Sequence, residues 1–177
     1  MGATRFKFIS RKLIGDNSLY KDIGPYEFIT GRLYYSVDPK HPDSQLITDI
    51  DLIPTNNKGE VEFSSDIQLL KPVNMKDDSN LLFDVVNRGN RNVLGFNNAV
   101  HILSDEDPDL GNEFLMKQGT VVVFCGWQTD VPDGRIRLHV PEALDQNRNR
   151  LTGQTYQQFD LGTDTYELLL SDREHTP

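Results

Sequence analysis

Asn112–Asp130, NEFLMKQGTVVVFCGWQTD, decides how the chain is read. Phe114, Leu115 and Gln118 lie on a short helical pattern, and Gly119 follows where a helix ends sharply, because glycine takes the left-handed conformation without steric strain. The next five residues, Val121–Cys125, are apolar without alternation, which predicts a strand covered on both faces. Such a strand implies a sheet with helices packed on it, an α/β to α+β arrangement rich in β-structure. Loops leaving the carboxyl ends of strands in such sheets are common ligand sites, and Gly126, Trp127, Gln128, Thr129 and Asp130 hold that position here.

Upstream, Leu81–Val86 forms a second nearly continuous apolar run, followed by the polar loop Asn87-Arg88-Gly89-Asn90. The distance to Val121 suffices for a crossover, so 81–125 reads as a βαβ unit. Alternating patterns in 24–72 predict leading antiparallel strands: Tyr26–Val37, interrupted at Gly31 as by a bulge; Leu46–Leu52; and Val61–Leu69, stopped at Pro72. Residues 1–23 carry no cap or turn signature and read as a loosely attached arm. Beyond Trp127, Val131–Gly134 reads as a turn. Further strands are expected over 135–170: Ile136–Val140, closed by Pro141, then a hairpin of Gln154–Leu161 and Thr165–Leu170. The whole of 24–177 reads as a single β-rich domain.

Composition narrows the partners. The 177 residues are 37% hydrophobic and 25% charged, with a formal net charge of -9. That balance argues against a nucleic-acid phosphate partner, which calls for a basic patch. No stretch has transmembrane length, and MGATRFKFISRKL lacks the apolar core of a secretory signal, so the chain reads as soluble, without a membrane partner and cytoplasmic by default. Position 6 is phenylalanine, which removes the myristoylation signal that Met1-Gly2 begins. The lone cysteine, Cys125, lies within the valine run and reads as a core thiol.

Candidate chemistry is sparse. Asp105-x-Asp107-x-Asp109 resembles the alternating oxygen ligands of a calcium loop, but Leu110 and Met116 stand where the glycine and the bidentate glutamate belong. Asp107 or Asp109 reads instead as a helix cap. His41, His101, His139 and His175 are far apart, without zinc spacing, and G-x-S-x-G is absent; neither metal nor cofactor is indicated. Asn87, Arg88, Gly89 and Asn90 leave a buried strand at its carboxyl end and include a glycine, so their N–H groups are candidates for an oxyanion or anion pocket, against the alternative of an ordinary turn. Trp127, Gln128 and Asp130 are candidate pocket residues, and a buried indole N–H would need a partner.

Several motifs in order, Gly24-Pro25-Tyr26-Glu27 with Gly31-Arg32, Ile47–Leu52, Leu82–Gly89, Phe114–Gly119 and Val123–Val131, resemble the amino-terminal part of a group of bacterial α/β-hydrolase domain-containing proteins. The resemblance spans roughly Gly24 to Pro141. It implies that Asn87–Asn90 occupies the position of the first oxyanion donor, with a small-molecule ester as ligand. It also implies that the nucleophile elbow, acid and histidine would follow the end of this chain, which by itself would then not hydrolyse esters. A sheet ending after two parallel strands would leave an unpaired edge open to self-association. The alternative from the residues alone is a non-catalytic module that binds a ligand or a protein.

Overall fold

The computed structural model describes residues 2–15, 23–104, 107–154, 156 and 158–167. Six strands make one mixed sheet: β1 (Gly2–Ile14), β2 (Tyr26–Val37), β3 (Val61–Pro72), β4 (Leu81–Val85), β5 (Val121–Cys125) and β6 (Leu138–His139). Their order is β1-β2-β3-β5-β4, and β6 pairs with the part of β3 that β5 leaves free. All pairings are antiparallel except β4 with β5, which is parallel from Leu81 opposite Val121 to Val85 opposite Cys125. Among the described residues helix is scarce, namely α1 (Phe114–Lys117) and three 3₁₀ segments, so the fold is β-rich α+β.

The deciding stretch folds as its residues dictate. Gly119 has φ +70°, its N–H donates to Met116 O, and the N–H of Thr120 donates to Leu115 O, so the carbonyls at the end of α1 are satisfied by a Schellman arrangement. Val121 to Phe124 are all buried. On the inner face of the sheet, Val122 and Phe124 meet Leu94, Leu115 and Met116 of the β4–β5 crossover, together with Tyr26, Phe28 and Leu70. On the outer face, Val121 and Val123 pack with Ile67, Leu33, Leu69 and Cys125, all carried by strands.

Four expectations are corrected. The first is the arm. Residues 2–14 form the edge strand β1, paired along β2, while residues 16–22 lie outside the described set. Two irregularities, between Ala3 and Arg5 and between Phe8 and Ser10, shift its parity, so Phe6, Phe8 and Leu13 share a face although their spacing hides it. The bulge expected at Gly31 is therefore in the neighbouring strand. β2 pairs with β3 without interruption, and the missing Cβ at Gly31 makes room for the ring of Phe6.

Second, Leu46–Leu52 is not a strand. Pro42–Leu46 and Ile50–Leu52 are 3₁₀ segments separated by Asp49 at φ 58°. Both edges of β2, the strand that precedes it, are already occupied by β1 and β3; the segment drops Ile50 onto Val37 and Val61 instead. Third, β4 is not a buried strand. It ends the sheet, and Leu81, Phe83 and Val85 on its outer face are 64%, 53% and 55% exposed. Fourth, among the described residues of 135–170 only β6 forms of the further strands expected there. The described residues of 154–161 and 165–167 have no strand, and 168–170 lie outside the described set. Among the described residues no helix is long and apolar enough to cross a membrane.

Candidate functional site

The loops at the carboxyl ends of the parallel pair meet. Val86 leads into Asn87–Asn90, a two-residue turn in which Arg88 and Gly89 both have positive φ, 52° and 75°, and Asn90 N–H donates to Asn87 O at 3.0 Å. Only glycine fits the second position, because a Cβ there would lie 2.7 Å from Arg135 Cβ and 2.9 Å from Ile136 O. The backbone N–H of Arg88 donates to Gln128 Oε1 at 2.6 Å, and the Trp127 indole N–H donates to Val86 O at 2.6 Å. The indole thus has the partner it needs, although Trp127 is 53% exposed. Asp130 is exposed, and neighbouring Thr129 lines an open cavity of about 470 Å³ with Arg137, His139 and Arg150.

Behind these loops lies a polar layer. Arg91 is fully buried; its guanidinium donates to Gln68 Oε1 and to the carbonyls of Leu103 and Ser104, and it stands 5.3 Å from the centre of the Phe28 ring. Ser104 is buried too, donating to Gly89 O at 2.5 Å while its oxygen accepts from Ile136 N–H. A guanidinium is a fork of donors that keeps its charge, so one side chain can satisfy several carbonyls of a loop that has no strand partner. The tight turn is thereby fixed from below. Asn90 Oδ1 is buried without a hydrogen-bond partner.

A second constellation joins β2, β3 and β6. Asp66 Oδ1 accepts from Arg32 Nε and Nη2 at 3.1 and 2.9 Å, and Asp66 Oδ2 lies 3.0 Å from His139 Nε2 and 3.3 Å from the Arg137 backbone nitrogen. The carboxylate sits where β3 passes from pairing with β5 to pairing with β6. Its backbone also bridges the two, since Asp66 N–H donates to Arg137 O and Gly126 N–H donates to Asp66 O. Among the described residues no serine hydroxyl is hydrogen-bonded to a histidine: Ser65 Oγ donates to Gly126 O and Ser104 Oγ to Gly89 O. The histidine–aspartate pair links β6 to β3.

The acidic stretch is placed differently from its reading as a helix cap. Asp109 accepts from the N–H groups of His101, Gly111 and Val100, and these bonds hold its carboxyl below the ordinary range. The first turn of α1 is served by Asn112 and by buried Asn97, whose Oδ1 accepts from Leu115 N–H. Asp105 lies outside the described residues, among which no three His, Cys, Asp or Glu side chains could hold a metal. On β4 the inward Asp84 accepts from Val93 N–H, but burial outweighs that bond and pushes its carboxyl up.

The structure thus brings together Arg88, Gly89, Trp127 and Gln128 and leaves Asp130 apart. Arg32, Asp66, Arg91 and Ser104 were missed. The alternation of Arg137 and His139 with Ile136 and Leu138 was the available signal for the histidine–aspartate pair, whereas nothing local marks Arg91 as buried. Comparison with protein-family models, with curated proteins and with solved structures finds no match for this chain.

Proposed function

We propose that this chain forms the leading part of an α/β-hydrolase-like sheet and carries the oxyanion side of an ester-binding site, without the nucleophile. What supports this reading is the junction of the two loops that leave the only parallel strand pair among the described residues, through Arg88 N–H and Gln128. Ligands of open sheets bind outside the carboxyl ends of parallel strands. There, a backbone N–H on a rigid tight turn is suited to a carbonyl oxygen that gains charge. The N–H is held by a neutral amide oxygen, which an anionic oxygen would displace because charge-assisted hydrogen bonds are the stronger kind.

Trp127, the sole tryptophan, reports on this place by its emission. A methylphosphonate monoester, a stable mimic of a tetrahedral oxyanion, is expected to change that emission on titration. Gln128→Ala, which frees the N–H, should raise the affinity roughly 2- to 10-fold, the worth of one net hydrogen bond of about 0.5–1.5 kcal/mol. Residues 1–177 should not turn over a p-nitrophenyl ester. An unchanged affinity in Gln128→Ala would reduce the loop to an ordinary turn, and turnover abolished by changing one serine of this chain would overturn the missing nucleophile.

A second reading, a non-catalytic module that binds a ligand or protein, is favoured by one observation. The Arg88 N–H is already engaged, while Trp127 presents more than half of its surface. It predicts a cooperative thermal transition for the chain together with no response to the phosphonate.

A further inference from the structure

Two cavities meet at β6. The first, of about 210 Å³, is lined by apolar residues alone. Among them Val37, Ile50 and Val61 are buried, whereas Ile47 and Val140 are 43% and 48% exposed, so the space is a hollow with a closed floor and an open rim. Such a hollow offers water no hydrogen-bond partner, and its fitting occupant is apolar. The second is the cavity of about 470 Å³ that holds Arg137, His139 and Arg150. Leu138, Val140 and Pro141 line both spaces, while Arg137 and His139, which alternate with Leu138 and Val140 along the chain, line only the polar one.

We propose that the two cavities bind one amphiphile, a medium-chain monocarboxylate, with its alkyl chain against Val37, Ile50, Val61 and Phe63 and its carboxylate toward Arg137 and Arg150. An apolar cavity of about 150 Å³ accepts benzene, so the larger one here takes an alkyl chain on the order of six to eight carbons. Charge selects the head. Two guanidiniums that keep their charge face the polar space, against one carboxylate, Glu142. Arg137 is already bonded to Val131 O and Asp133, but Arg150 has its Nε 3.4 Å from Glu142 Oε1, with both side chains more than half exposed. An exposed pair of that kind contributes little, so a ligand carboxylate that fits the planar fork of Arg150 replaces it. The net charge of -9 acts weakly here, because charges more than about 8 Å away are screened at physiological ionic strength, whereas the two guanidiniums line the site itself.

This proposal rests on the two cavities and is independent of the ester-binding reading; its test contains no ester. Calorimetric titration of the chain with butanoate, hexanoate and octanoate, below their micelle concentrations, should give one site per chain. Affinity should rise roughly 4-fold for each added methylene, the transfer value of a buried CH₂. Ile53→Trp, which fills the apolar hollow from the segment after Leu52, should weaken octanoate roughly 10-fold or more, the worth of about two methylenes, with circular dichroism unchanged. Arg150→Ala should abolish the preference for octanoate over octanol and leave octanol binding as it was, whereas Glu142→Gln should tighten octanoate. The chain-length series and the comparison of octanoate with octanol use the unaltered protein, so they decide the matter whether or not Ile53→Trp folds. An affinity independent of chain length, several sites per chain, octanoate held no more tightly than octanol, or a folded Ile53→Trp chain that binds octanoate like the unaltered one would each overturn the proposal.

Discussion

The backbone N–H of Arg88 and the side-chain oxygen of Gln128 lie 2.6 Å apart, forty positions distant in sequence, and they lock the loop after β4 to the loop after β5. Beside them, Trp127 donates to Val86 O, so two hydrogen bonds stitch the carboxyl ends of the parallel pair. Removing the Gln128 side chain leaves a half-buried amide to water. Gln128→Ala should lower stability by about 1 kcal/mol in denaturant unfolding, and Gln128→Glu, which still accepts, should recover most of it.

Arg91 is the residue on which the loop before β5 depends. It is buried and bonded to Gln68, Leu103 and Ser104, so truncation removes three charge-assisted hydrogen bonds and leaves the buried Ser104 carbonyl without one of them. Arg91→Ala should destabilise by roughly 3 kcal/mol or more. Arg91→Lys should recover only part, because an ammonium cannot reproduce the planar fork. A loss below about 1 kcal/mol, measured by urea unfolding, would show that the loop is held otherwise.

Asp66 clamps three strands through Arg32, His139 and the Arg137 backbone. Asp66→Asn keeps the size and removes the charge. Hydrogen exchange should then accelerate at residues 137–139 while the β2–β3 amides at Phe28 and Leu70 stay protected. Equal acceleration at both places would mean global unfolding, and no change at 137–139 would remove the clamp.

Two aspartates give the acid limb opposite slopes. Asp109 has its pKa lowered by backbone donors, so it contributes stability above the ordinary value of 3.8, and that contribution is lost as pH falls through the depressed value. Asp84 has its pKa raised by burial, so it binds its proton more tightly when folded, and its effect on stability worsens as pH rises from 3.8 through the raised value. Tm against pH should therefore show Asp109→Asn less stable than the unaltered chain at neutral pH, with the difference vanishing in acid. Asp84→Asn should be at least as stable at neutral pH, with its advantage vanishing in acid.

The patterns that survived folding are the local ones. Gly119 ends α1 because the left-handed conformation is a property of glycine itself, and Val121–Phe124 is buried because an unbroken apolar run has no polar side to show water. Pro72 is the last residue of β3, where the sequence pattern placed the stop. That the 87–90 and 126–130 loops each leave the carboxyl end of a strand was legible as well, whereas the Arg88–Gln128 hydrogen bond that joins them was not.

What the sequence by itself determined is therefore the order of its buried runs, their stops and the turn chemistry of Asn87–Asn90. Tertiary structure decided the rest, because edge occupancy and side-chain reach are not properties of a segment. Leu46–Leu52 alternates like a strand, but β1 had taken the open edge of β2, by a pairing whose bulges disguise it. Leu81–Val85 reads as buried because its residues are apolar, and lies at the edge because β5 has only one side left beside β3. Arg91 reads as a surface cation until the chain folds a ring of carbonyls around it, when satisfying them outweighs the hydration it gives up.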